Sequence, residues 1–211
     1  MLKGADNAER AWNFLKDHDF TNYGAAGLIG NLHAESAINP INLQNSGNNR
    51  LNITDQQYTD EVDDGVRNFE DNIGYGIAQW TFFSRKRALL EYAVKYKKSI
   101  GDLEMQLNFL LKELKQYGLL DKVKNSFSVE DASTIILLQF EKPADKSMKN
   151  IERRAGFGQM YYNRFADPLL SDLEVLKILG IVNTPEYWQN TAPYVKYLPN
   201  FIHNMAEYVK K

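Results

Sequence analysis

The chain has 211 residues, 44% of them hydrophobic, enough to bury a full core and a second small unit. Its 25 Lys+Arg against 27 Asp+Glu leave a formal net charge of -2, which gives no general electrostatic reason to bind nucleic acid or an anionic membrane. There is no cysteine, which excludes disulfides and thiolate chemistry, and His18, His33 and His203 lack metal-ligand spacing, so neither a metal nor another cofactor is expected.

The first ten residues lack the apolar core of a signal peptide, and no run approaches the roughly 18 apolar residues of a membrane span, so membrane insertion is not expected. Ala8, Ala11, Trp12 and Leu15 mark one face of a first helix ending near Lys16. A polar connector, Asp17 to Asn22, leads to a second helix from about Tyr23 to Ser36. Within it Gly24, Gly27 and Gly30 recur every third residue, which lowers helix propensity but leaves a bare strip that another backbone or a ligand can approach closely.

Ala25, Leu28, Leu32 and Glu35 follow one stripe of that helix, so a carboxylate shares a face with residues that should be buried. Asn39-Pro40 biases the chain away from helix, which puts Glu35 in the last turn, at the negative end of the helix dipole. Burial and dipole both favour the protonated acid. Cleavage of a glycosidic bond needs such a donor, because the leaving oxygen must be protonated as the bond breaks. A solvated charge at a helix end is the competing reading of the same stripe.

From Asn42 to Asp71 the helical periodicity is lost, and the stretch reads as a long loop forming one wall of a cleft. It carries Asp60, Glu61, Asp63 and Asp64 close together, either as working carboxylates or as a solvated charge run. Gly74-Tyr-Gly-Ile-Ala-Gln-Trp-Thr81 then offers Tyr75, Gln79 and Trp80 for stacking and hydrogen bonding, a combination that suits sugars. A buried strand or turn with Trp80 in the core explains the same segment. Amphipathic helices are predicted over Ser84 to Tyr96, Asp102 to Leu114 and Val129 to Phe140, with capping residues in Ser99 to Asp102 and Ser128 to Asp131. A further helix is predicted from Asn150 to Arg164.

Ala166-Asp-Pro168 reads as a domain boundary. Beyond it, Leu173, Leu176, Ile178 and Leu179 predict a short helix ending at Gly180, Thr184-Pro-Glu starts a second, and Pro199 to Tyr208 can form a third. Tyr187, Trp188, Tyr194, Tyr197 and Tyr208 of this small unit suit a ligand platform, internal packing or a dimer contact equally well.

Gly30-Asn-Leu-His-Ala-Glu35-Ser, Asn39-Pro40, Gly74-Tyr-Gly-Ile-Ala-Gln79-Trp-Thr, Ser84-Arg-Lys86, Asp102-Leu-Glu-Met-Gln-Leu-Asn-Phe-Leu110, Phe140-Glu-Lys-Pro143 and Arg154-Ala-Gly-Phe-Gly, in that order, resemble the phage tail-tip lysozyme family. The resemblance covers about residues 5 to 167. It implies a mainly α, lysozyme-like catalytic domain over 1–167, of the goose-type lysozyme and lytic transglycosylase superfamily; residues 168–211, beyond the resemblance, read as a small C-terminal helical bundle expected to serve wall binding or self-association.

The function it implies is that of a phage lysin, a muramidase that cleaves peptidoglycan between N-acetylmuramic acid and N-acetylglucosamine, with Glu35 as general acid. Tyr75 and Gln79 are implied substrate contacts, with Trp80 beside them on the structural side. Ser36 would orient Glu35, and Glu141 with Arg154 would line the cleft or pair with each other. A second carboxylate, if one is used, would be Asp64 or Asp63; an inverting enzyme needs it about 6.5–9.5 Å from the acid and a retaining one about 5–5.5 Å. A lytic transglycosylase needs none, since the substrate's own 6-hydroxyl attacks. An N-acetylglucosaminidase is the other enzymatic alternative, and a wall-binding or tail structural protein without activity is the alternative of another class. The resemblance further implies a protein held in the host cytoplasm until lysis and released through a holin pore, or carried on the virion tail.

Overall fold

The structure, a computed structural model, describes residues 2–143, 145–166, 173, 176, 177, 180–184, 187–189 and 198–209. It divides into two compact units, residues 1–159 and 160–211. Among the described residues β pairing is confined to two isolated bridges, Leu43 with Tyr75 and Tyr75 with Trp80. No described helix is long and apolar enough to cross a membrane.

The first unit is organised around α2 (Asn22–Ser36), which follows α1 (Asn7–Asp17). Asp6 and Thr21 cap these two helices by accepting the backbone N–H of Glu9 and Gly24. Ala25, Leu28, Ile29 and Leu32 of α2 are fully buried or nearly so. The glycine strip allows this depth. A Cβ at Gly27 would sit 2.5 Å from the Ala132 Cβ, and one at Gly30 would sit 2.7 Å from the Gly158 Cα, so neighbouring backbones occupy the room that side chains would need. The helix stops at Ala37 (φ 52°), and Ile38 is also left-handed (φ 60°). A β-branched residue is disfavoured there, and the Ile38 side chain is held in place by burial at 1% exposure.

The stretch predicted as a loop contains two helices, α3 (Asn45–Leu51) and α4 (Asp55–Asp63). The reason is local. Thr54 and Gln57 form a reciprocal capping box, each side chain bonding the other residue's backbone N–H, and Tyr58 and Val62 supply one buried stripe. A fully buried lysine on the next helix, α5 (Phe83–Tyr96), ties the segment around Asp71 and Ile73 back to α4. Lys86 Nζ donates to Asp71 Oδ1 at 2.5 Å, the Ile73 carbonyl at 2.8 Å and the Tyr58 hydroxyl at 2.9 Å.

Residues 74–81 form a turn pinned by Gln106 of α6 (Leu103–Gln116), whose Oε1 accepts the Ile77 N–H while Nε2 donates to the Pro40 and Ile100 carbonyls. After α7 (Leu120–Lys124), the helix predicted over 129–140 splits into α8 (Val129–Ile135), capped by Ser128, and a π-helix from Ile136 to Glu141. The π-helix closes with the Lys142 N–H on the Leu137 carbonyl at 2.9 Å. The last long helix, α9 (Met148–Phe165), crosses α2 at Gly158.

In the second unit, Leu173, Leu176 and Val182 pack with Ile202 and Ala206 of α10 (Leu198–Val209), and Trp188 lies against that cluster. Trp188 therefore packs internally, whereas Tyr187 and Tyr208 are exposed. Asp167, Pro168, Ile178, Leu179, Pro185, Glu186, Tyr194 and Tyr197, which carry the predicted boundary, two predicted helices and part of the aromatic set, lie outside the described residues.

Candidate active site

Glu35 sits on the penultimate residue of α2 and opens into a cleft of about 430 Å³, a volume within the ~300–1,000 Å³ of typical small-ligand sites. The cleft is lined, besides Glu35, by Gln44, Ala78, Gln79, Thr81, Phe82, Arg85, Glu141 and Pro143. The apolar stripe below Glu35 is as buried as its spacing predicts, yet the carboxylate is not left among apolar groups. Arg154 Nη2 donates to Glu35 Oε1 at 2.5 Å, and Nη1 of the same guanidinium donates to Glu141 Oε2 at 2.5 Å.

Arg154 reaches this position because Gly158, one turn further along α9, lies directly against Gly30 of α2. Asn31 adds a second hold: its Oδ1 accepts from Arg154 Nη1 at 3.3 Å while its amide donates to Gly27 and Ser133. Glu141 arrives from the π-helix. Its side chain is 7% exposed against 21% for Glu35, so it lies behind the acid. Burial pushes the Glu141 carboxyl well above the ordinary glutamate range. The charge of Glu35 pushes the same way, while Arg154 and Arg85 pull it down.

The remaining predicted residues divide sharply. Gln79 lines the cleft at φ 45°, with its amide donating to Asn42 Oδ1 at 2.9 Å and to the Asn42 and Gly76 carbonyls, leaving Oε1 available to a ligand. Ser36 is buried and donates to the Leu32 and Ile77 carbonyls, so it ties the end of α2 to the 74–81 turn rather than bonding Glu35.

Tyr75 is not a cleft residue. It is fully buried against Tyr58 and Phe69, its hydroxyl bonds Thr59 Oγ1 at 2.6 Å, and burial raises its proton affinity. Gly74 and Gly76 turn the backbone so that this ring faces inward. Trp80 is likewise fully buried, donating to Glu113 Oε2 at 2.6 Å. Asp63 and Asp64 are exposed at the end of α4 and do not line the cleft; Asp63 instead accepts the Ile100 N–H at 2.9 Å. The carboxylate that the fold brings to Glu35 is Glu141.

Sequence reasoning missed Gln44, Phe82 and Arg85. Phe82 is 68% exposed at the cleft edge, an aromatic face free to stack on a ring. Arg85 is held by a two-pronged bond to Glu113, at 2.8 Å for each nitrogen, and lies over Phe140. Adjacency to the Gln79-Trp80-Thr81 segment was the available signal for Phe82. Among the described residues no three His, Asp or Glu side chains converge in a metal-binding cluster.

A mainly helical domain with a glutamate at the end of its central helix, facing an open polar cleft, defines a lysozyme-like fold. The family model for phage tail lysozymes matches residues 6–165, and the chain belongs to that family. It is thus a peptidoglycan-degrading enzyme of phage type.

Proposed function

We propose that the enzyme cleaves the β-1,4 bond between N-acetylmuramic acid and N-acetylglucosamine, with Glu35 as general acid protonating the glycosidic oxygen. The observation that carries this reading is the position of Glu35: 21% exposed, at the foot of the cleft, with a guanidinium fixing one oxygen. A glycan strand lying in the cleft meets Gln44 and the Gln79 amide oxygen as polar partners and Phe82 as a stacking face.

A second outcome of the same acid is favoured by a specific observation. The two carboxylates of the cleft, Glu35 and Glu141, meet on one guanidinium, so they share a wall instead of facing each other across a sugar. Attack by the substrate's own 6-hydroxyl, with Glu35 as acid and then base, needs no opposing carboxylate. The test is clearing of purified Gram-positive walls by wild type and Glu35→Gln, followed by mass spectrometry of the released fragments. Loss of clearing in the variant, with a reducing muramic acid end, supports hydrolysis; 1,6-anhydro ends establish transglycosylation. A reducing N-acetylglucosamine end defeats the muramidase reading, and equal clearing by both proteins defeats the role of Glu35.

For residues 168–211 the reading is wall binding or self-association, supported by exposed Tyr187, Phe201 and Tyr208 beside a small packed core.

A further inference from the structure

A general acid held by an arginine presents a difficulty: protonation of a glycosidic oxygen needs a proton on Glu35, which the structure pairs with a guanidinium. The charges around the site point to where that proton is kept. Arg154 contributes one positive charge, and its two outer nitrogens are each 2.5 Å from a different carboxylate, Glu35 and Glu141. Arg85, the other cation facing Glu141, is already neutralised by its two-pronged bond to Glu113. With both Glu35 and Glu141 ionised, the group would carry one uncompensated negative charge in a site where Glu141 is 7% exposed and its Oε1 is buried with no hydrogen-bond partner. One proton removes that charge.

We infer that Glu35 and Glu141 share a single proton across Arg154, with Glu141 holding it in the resting enzyme and Glu35 delivering it to substrate. This rests on the general-acid reading of Glu35. Glu141 takes the proton at rest because it is the more buried of the two and its Oε1 is the buried oxygen without a partner, and both carboxylates meet on one guanidinium, which keeps the proton's path short. A sugar entering the cleft strips water from Glu35 and raises its demand for the proton. The proton then passes from the Glu141 carboxyl to the Glu35 carboxylate, and Arg154 pairs with the Glu141 carboxylate left behind.

As the bond between the anomeric carbon and the leaving oxygen breaks, the proton passes from Glu35 to that oxygen. Two carboxylates then face Arg154 and the positive charge developing on the sugar, so the site is neutral at the transition state. Attack by a hydroxyl on the anomeric carbon releases one proton, which Glu35 accepts and returns to Glu141. Glu141 touches no reacting atom in this sequence and is a positioning residue.

The experiment is a carbon-13 NMR titration of glutamate-labelled full-length wild type, Glu35→Gln and Glu141→Gln, paired with pH profiles of wall clearing. The expected wild-type result is two coupled steps, one above the ordinary glutamate range; in Glu35→Gln the upper step moves down. In Glu141→Gln the alkaline limb of the clearing profile shifts toward acid by about one pH unit or more. A purely structural role would lower clearing by the same factor at every pH.

Ordinary, uncoupled titration of Glu141 in the wild type overturns the inference, and this measurement does not depend on how well the variant folds. If walls are cleared and Glu35→Gln is inactive while Glu141 titrates ordinarily, the general-acid reading stands and the shared proton falls. If the coupled titration is present and wild type clears no wall at any pH, the reverse holds.

Discussion

At the scale of single residues, two buried ionisable groups are held in different ways and predict different behaviour. The Glu141 carboxyl binds its proton more tightly in the fold than in the unfolded chain, chiefly through burial. Its contribution to stability is therefore complete below the ordinary glutamate value of 4.5 and is lost as pH rises through the raised value. Urea midpoints measured across that range should fall with pH in wild type and fall less in Glu141→Gln. Lys86, fully buried, instead satisfies Asp71, the Ile73 carbonyl and Tyr58 together. Lys86→Met strands a backbone carbonyl and a partly exposed carboxylate, and a loss of roughly 2–4 kcal/mol in denaturant unfolding is expected. The position of Glu35, on a buried stripe in the last turn of α2, could be read from its spacing and from the proline that follows. Arg154 was expected in the cleft or paired with Glu141, but its bond to Glu35 could not be read, because the two lie 119 residues apart and meet only through the packing of two helices.

At the scale of elements, the long helices were legible from periodicity and caps. Ser128 and Asp102 stand where the sequence signals put them, and each accepts the backbone N–H three residues on. The two helices between 45 and 63 were not legible in the same way, since five of the seven residues of α3 are Asn, Ser or Gly and only one is buried, and the Thr54 and Gln57 capping box is masked by a conspicuous run of acids. Tyr75 shows why side-chain chemistry misleads where the backbone turns tightly: an aromatic between two glycines suggests an available ring and is in fact core. The glycines of α9 offer a paired test. Gly158 touches the backbone of α2, and its partner Gly30 has no room for a methyl group, so Gly30→Ala should destabilise by about 1–3 kcal/mol and reduce wall clearing by displacing Arg154. Gly156, on the same helix with open space around it, should behave oppositely, and Gly156→Ala should stabilise by about 0.5–1 kcal/mol in thermal or urea melts.

At the scale of the whole molecule, the family match ends at residue 165, close to where the compact unit of residues 1–159 gives way to the second unit. The second unit has a core of five buried side chains among the described residues, small enough that its value to the enzyme is expected to lie in what it contacts. Deleting residues 168–211 should leave cleavage of soluble glycan fragments intact and weaken either pelleting with insoluble wall or self-association in sedimentation. If neither changes, the segment is only a structural cap. The sequence marks this segment as separate by a proline and a change of pattern, but carries no motif from which its partner can be read.

The π-helix gives the cleft a dependence on residue count as well as residue identity. One surplus residue between Ile136 and Glu141 is absorbed as a widened turn, and that turn aims Glu141 at Arg154. Removing one residue between Ile136 and Phe140 would let the segment relax to an ordinary helix and swing Glu141 by roughly 100° about the axis. A lineage that lost such a codon would keep every side chain of the cleft and still part the two carboxyls, so a single-residue deletion here is expected to act on the site as replacing Glu141 does.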